Sequence, residues 1–204
     1  MDNNDIIVMK YLKDNLEPNG IFVDVGANYG IYTHFLKTIL KDTGKIYAIE
    51  LDPTTFESLK SNFNNQSNVL CINKAISNQD SIIDYYMGND AWTNNIIGHD
   101  TNFKQSSKKG KIESITLDTL LKEEEKIDFI KIDTEGADLL VLLGMKETIK
   151  KTKLFLIECH FDKDWEQIKQ ILLVDNNLNC IDLLTSEQVT DDSERVYQCL
   201  CSHK

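Results

Sequence analysis

Proline is scarce in this chain, with Pro18 and Pro53 the two in 204 residues, and glycine contributes nine. Neither clusters, and no repeat or low-complexity tract marks a hinge or a disordered arm, so a linker between two domains is not expected. Long apolar runs are missing as well. The longest early one, 6–9, is too short for a signal-peptide core or a membrane span, which makes the cytosol the expected compartment and a membrane an unexpected partner. Positive charge is in deficit: 22 Lys and Arg stand against 33 Asp and Glu, a formal net charge of −11. Such a surface repels DNA and RNA, so nucleic acid is not an expected partner. The local exception, Lys104, Lys108, Lys109 and Lys111, could meet a single phosphate or uronate, although charge runs of this kind are usually solvated loops.

The five cysteines are an odd number, and most lie in apolar, β-like runs. That pattern predicts buried free thiols in a reducing compartment. Cys199 and Cys201 should share a strand face, yet without further ligands they make a weak zinc motif. What remains is one domain over 1–204, long enough to bury a core without cross-links.

The apolar spacing through Ile6, Met9, Leu12 and Leu16 predicts a leader helix within 1–20, closed by Pro18-Asn19-Gly20. A short apolar strand, 21–25, then turns through Gly26 into a helix. Strand 45–50 follows, and Asp52 with Pro53 supplies a cap and first-turn residue for the next helix. Further strands are expected at 69–73, 82–86, 111–117, 128–133 and 154–160, with helices at 117–122, 137–150 and 165–174. The pattern ends in an antiparallel hairpin of 178–184 with 195–201. The fold class is therefore α/β: a mostly parallel, seven-stranded, Rossmann-like sheet with helices on both faces. Such sheets bind ligands beyond the carboxyl ends of their strands, where strand order reverses.

Residues at those ends select the ligand. Gly26 and Gly30 give a G-x-x-x-G turn, not the G-x-G-x-x-G that clamps a pyrophosphate, which argues against a nicotinamide dinucleotide. Asp24 before the turn can accept from an ammonium group. Glu50, closing the next strand, can accept from both hydroxyls of a ribose. A ligand with an amino-acid tail, an unphosphorylated ribose and no phosphate satisfies both, and S-adenosylmethionine is such a ligand. Asp133, Glu135, Glu158 and His160 should emerge at the same edge, with Glu158 and His160 on one side of their strand.

The stretch Val23-Asp24-Val25-Gly26-Ala27-Asn28-Tyr29-Gly30-Ile31-Tyr32-Thr33, then S-I-T-L-D-T-L from Ser114, D-F-I-K-I-D-T-E-G-A-D from Asp128, V-L-L-G from Val141 and finally Ile157-Glu158 resemble the motif series of the FkbM family of methyltransferases. The resemblance covers about 21–160. It implies a class I methyltransferase fold, S-adenosylmethionine, and methylation of hydroxyl oxygens on sugars or polyketide-type products. Leu51, where the family commonly has Pro, and Asp138, where Glu is usual, are mild departures. With these motifs and the strand ends, the expected cofactor-binding set is Asp24, Gly26, Asn28, Gly30, Tyr32, Thr33, Glu50, Asn73 and Asp133.

A sugar hydroxyl has a high pKa, so its methylation benefits from a base or a cation. The expected catalytic residues are Asp133, His160 and Glu158. One scheme uses His160 or Asp133 as base, with His99 as a weaker choice. The other places Mg²⁺ or Mn²⁺ between Asp133 and Glu158, near His160. The segment 88–110, with Trp92, His99 and Phe103, is a candidate acceptor-binding loop for a small-molecule or carbohydrate acceptor. Two alternatives are carried beside O-methylation: transfer to nitrogen, and a catalytically silent module that binds the cofactor. Oligomeric state is not legible.

Overall fold

Each apolar run bounded by a turn becomes a strand, and each amphipathic run between them packs across the sheet. A computed structural model of the chain describes residues 3–41, 43–87, 94–98 and 107–204. Helix α1 (Asn3–Asn15) precedes β1 (Ile21–Val25), α2 (Ile31–Ile39), β2 (Lys45–Glu50), α3 (Pro53–Phe63) and β3 (Val69–Asn73). Asp52 caps α3 as its sequence context predicts, accepting from the backbone N–H groups of Thr54 and Thr55 at 3.0 Å each. The chain then makes β4 (Ala75–Ile76), β5 (Ser81–Met87), β6 (Ser107–Ile115) and α4 (Leu117–Leu120). It continues through β7 (Phe129–Ile132), α5 (Asp138–Leu143), β8 (Leu154–Glu158), α6 (Asp162–Lys169), β9 (Leu178–Asp182) and β10 (Gln198–His203).

The main sheet has seven strands in the order β3-β2-β1-β7-β8-β10-β9, parallel except for β10, which runs antiparallel to both neighbours. This is the expected mostly parallel sheet with an antiparallel C-terminal pair. Strand order reverses between β1 and β7, which leaves a crevice there.

Alternation along the strands sorts the core into two layers. Val23, Val25, Ile130, Ile132, Phe155 and Ile157 face one cluster; Phe22, Ile46, Phe129, Leu156 and Leu200 face the other, with α1, α2 and α3. Asp24, Lys131, Glu158 and Gln198 share the parity of this second layer; the first three lie toward the carboxyl ends of their strands, and Gln198 begins the antiparallel β10 at the same edge. Register aligns them further: Asp24 pairs with Lys131, and Gln198 with Glu158. The topology therefore sets a row of polar side chains above an apolar layer.

Four expectations need correction. Strands β4, β6 and β5 form a separate three-stranded sheet, in that order; a two-residue strand such as β4 has too few positions to show a period. Strand β6 begins at Ser107, where the sequence suggested a loop up to Gly110. The helix expected over 137–150 stops at Leu143 with Gly144 as its C-cap, packed so closely on Ser77 that a Cβ would lie 2.2 Å from its carbonyl oxygen. Asp118 then takes the backbone N–H groups of Glu147 (3.0 Å) and Thr148 (2.7 Å). Finally, the cysteines are not all free thiols. The antiparallel register of β9 and β10 puts Cys180 opposite Cys201, Cα atoms 4.1 Å apart, and the two form a disulfide; Cys71, Cys159 and Cys199 are free. Among the described residues no helix is long and apolar enough to cross a membrane.

Candidate active site

A cavity of about 250 Å³ opens where β1, β2 and β7 end. One wall is the turn after β1. Gly26 has φ +79°, and a Cβ there would lie 1.8 Å from the carbonyl oxygen of Asp133, so glycine alone lets the β1 turn meet the β7 turn. Asn28 also takes positive φ, at 51°. Gly30 (φ +91°) does not border the cavity; it packs on Phe63 and Leu59 at the start of α2.

Asp24 is fully buried, yet it lines this cavity. Thr33 donates to one carboxylate oxygen at 2.6 Å, and the other oxygen has no hydrogen-bond partner. Burial raises its pKa, and Lys131 and Thr33 offset that in part. Glu50 faces the same space. Its two oxygens accept from the backbone N–H groups of Asn28 (3.0 Å) and Asp52 (2.8 Å), each keeping acceptor capacity for another donor. Burial pushes Glu50 up to about 7 against these two hydrogen bonds. Thr33 therefore orients Asp24 from beneath, and Asn73 donates to the carbonyls of Glu50 (2.8 Å) and Leu51 (3.0 Å), fixing the backbone that carries Glu50. Neither borders the cavity, whereas Tyr32 does.

The opposite wall comes from the ends of β7 and β8. Asp133, Glu135 and Glu158 line it, and His160 lies just behind, its side chain 4% exposed. His160 Nδ1 is 2.7 Å from Asp138, which also accepts from the Thr134 hydroxyl at 2.7 Å. His160 Nε2 lies 3.7 Å from Asp133, 3.8 Å from Glu158 and 3.9 Å from Glu135. Glu135 and Gly136 both adopt positive φ (54° and 101°), the backbone twist that brings these acids around. Burial disfavours a charged imidazole, but the Asp138 hydrogen bond and the charges of Asp138, Asp133 and Glu135 outweigh it and raise His160 to about 9. Burial and the Asp133 charge raise Glu135 to about 7 and push Glu158 upward.

Sequence reasoning missed several of these contacts. Lys131 is buried in β7, 2.8 Å from Asp133, 4.0 Å from Asp24 and 4.7 Å from the Tyr32 ring centroid. Burial opposes its charge, and Asp133, Asp24 and Glu158 together hold its pKa above the lysine range. The available signal was Lys131-Ile132-Asp133, whose two-residue spacing puts lysine and acid on one side. Gln198 donates to Glu158 at 2.9 Å, and the Tyr197 ring stands edge-on to His160 at 6.2 Å. Lys74, on the cavity rim, pairs with Glu113. Lys108 and Lys109 pair with Asp84 and Asp52. From the 88–110 segment, Asn94 and Ile96 border the cavity; Trp92, His99, Phe103 and Lys104 lie outside the described residues.

The chain is 24% identical over 168 residues to hexuronic acid methyltransferase AglP of Haloferax volcanii, covering 81% of this chain and 66% of that protein. It thus spans just under two thirds of that relative's length. Its fold matches an rRNA methylase from Streptococcus thermophilus (TM-score 0.56, 13% identity, 100% of this chain and 99% of that one). It also matches a methyltransferase FkbM from Methylobacillus flagellatus KT (TM-score 0.55, 15% identity, 100% of this chain and 56% of that one). These two likenesses show the fold. Residues 24–182 match the family described as the methyltransferase FkbM domain, a span that contains both walls of the cavity. The chain belongs to the FkbM family of methyltransferases.

Proposed function

We propose that this methyltransferase transfers the methyl group of S-adenosylmethionine to a hydroxyl oxygen of a carbohydrate-type acceptor. The observation that carries the reading is the shared cavity: a wall suited to the cofactor, Asp24 and Glu50, faces a wall of acids around His160 across one space. The residues present fit the cofactor. The Asp24 oxygen that no donor hydrogen-bonds, 4.0 Å from Lys131, is an acceptor for an ammonium group, and Glu50 retains acceptors for ribose hydroxyls. Gly26 and Asn28 hold the backbone of the turn beside them. When bound, S-adenosylmethionine would supply a methyl group on a sulfonium, whose S–CH₃ bond breaks as the acceptor O–CH₃ bond forms and whose sulfur leaves as the uncharged thioether of S-adenosylhomocysteine.

The rest of the chemistry falls to the chain. Positioning the acceptor oxygen in line with the methyl carbon supplies much of the acceleration. The hydroxyl proton must leave, and the wall opposite the cofactor offers carboxylates to take it. His160 is poorly suited to that role in this geometry, since it is held charged up to about pH 9 with Nδ1 bonded to Asp138. Lys74 on the rim can meet an acceptor carboxylate, in keeping with the hexuronic acid named for the archaeal relative. The net charge of −11 disfavours a polyanionic acceptor.

A transfer assay with radiolabelled cofactor tests this over free hexuronic acids, nucleotide sugars, phenols, amines and tRNA. Label on a hydroxyl oxygen of a sugar-type acceptor is the expected result. Label on amines or RNA alone, or on nothing, would overturn it.

A further inference from the structure

We propose that Asp133, Glu158 and His160 form a binding site for a divalent cation of the Mg²⁺ and Mn²⁺ class at the acceptor end of the cavity. The inference rests on the proposed methyl transfer for its purpose; the site itself rests on geometry. One donor atom from each residue lies within 4.8 Å of the other two. The His160 side chain is 4% exposed, and its Nε2 points among three carboxylates while hydrogen-bonding to none, at 3.7, 3.8 and 3.9 Å. A direct ion pair would close to hydrogen-bond distance, about 2.8 Å. Donors that each lie about 2.1 Å from one octahedral ion sit roughly 3.0–4.2 Å apart, and the distances from His160 Nε2 to Asp133 and Glu158, 3.7 and 3.8 Å, fall in that range.

The supports behind the donors match those of a metal centre. Asp138 holds Nδ1 at 2.7 Å, fixing the ring so that Nε2 faces the gap, the carboxylate–histidine–metal arrangement. Gln198 steadies Glu158 at 2.9 Å and Lys131 steadies Asp133 at 2.8 Å. Charge points the same way. Asp133, Glu135, Asp138 and Glu158 gather around one lysine and one imidazole, an excess of negative charge that a dication would reduce. Two carboxylates with one imidazole and no thiolate suit a hard to borderline cation, which binds the neutral imidazole and so displaces from Nε2 the proton that the surrounding acids favour when the site is empty.

Asp133 and Glu158 border the cavity, so remaining coordination positions open toward the acceptor. The acceptor class is then one with two adjacent oxygens, a vicinal diol or a hydroxy-carboxylate, and the cation lowers the cost of the alkoxide. Glu135, outside the trio, is left on the cavity wall to take the proton.

Titration of the full chain with Mn²⁺ alone, followed by calorimetry and electron spin resonance, tests the site. One saturable Mn²⁺ per chain is expected, with nitrogen coupling from an imidazole that disappears in His160→Gln. Glu158→Gln should weaken Mn²⁺ binding at least tenfold, and Asp138→Asn by roughly 10- to 100-fold, as loss of an outer-shell partner does. Unchanged S-adenosylhomocysteine binding in each variant would show that the fold is intact. No saturable Mn²⁺ binding, or equal binding by wild type and variants, would overturn the site. So would methyl transfer that persists in chelator, while leaving the proposed methyl transfer standing. Mn²⁺ binding by a chain that methylates no hydroxyl acceptor would support the site and remove the proposed function instead.

Discussion

The two walls of the cavity use the same residue type in opposite ways. On the β1–β2 side each acid is met by donors of its own wall: Thr33 on Asp24, and the Asn28 and Asp52 amides on Glu50. On the β7–β8 side Asp133, Glu135 and Glu158 converge on His160 without closing a hydrogen bond to Nε2, and Lys131, Asp138 and Gln198 hold the cluster from behind. Acids fixed by backbone amides of tight turns make a rigid recogniser of hydroxyl and ammonium donors. Acids held together by tertiary contacts make a charged pocket, in which electrostatic strain is relieved by what binds. The first wall should therefore govern cofactor affinity, and the second turnover.

The largest expected effect strikes the seam between the walls. Gly26→Ala places a Cβ 1.8 Å from the Asp133 carbonyl oxygen at φ +79°. It should cost more than about 3 kcal/mol in urea denaturation and abolish S-adenosylhomocysteine binding. Next comes the acceptor wall alone: Glu158→Gln should lower kcat about 100-fold or more in the radiolabel assay and leave cofactor affinity unchanged. A parallel loss of cofactor affinity would break the division between walls. The converse is Asp24→Asn, which should weaken S-adenosylhomocysteine about 10- to 100-fold by calorimetry and spare Mn²⁺ binding.

The smallest effect is pH dependence. Glu50 is held up to about 7 by burial. Its ionised form offers the fuller set of acceptors to ribose hydroxyls, so cofactor affinity should be weakest below that value and rise to a plateau above it. The slope below should approach about tenfold per pH unit, and Glu50→Gln should flatten this step. A step of unchanged size in Glu50→Gln would move the titration to another group.

Much of the β1–β2 wall was legible in the sequence because it is local. Asp24, Gly26 and Glu50 sit at strand ends that their own apolar runs announce, and Asp52 with Pro53 marks the next helix start. The course of the chain after Gly144 was not legible, since Ser77 packs on that glycine and Asp118 holds the Glu147 and Thr148 amides, all distant in sequence. The β7–β8 wall was legible only in outline. Glu158 and His160 share a side by parity, but the Asp138 clamp on His160 spans 22 residues, and Asp138 looked like a mere departure from a family pattern. Lys131 was missed because a lysine within Phe129–Ile132 reads as an interruption of an apolar run; its purpose appears once register sets it beside Asp24. The Cys180–Cys201 pairing has the same origin. It needs the β9–β10 register, which no local pattern contains.

A crystal structure of the chain with S-adenosylhomocysteine tests the central claim most directly. The account predicts the ammonium group at Asp24, the ribose hydroxyls at Glu50, and the sulfur facing Asp133 and Glu158 across the cavity. A cofactor bound elsewhere, or bound with its sulfur turned away from that wall, would contradict it.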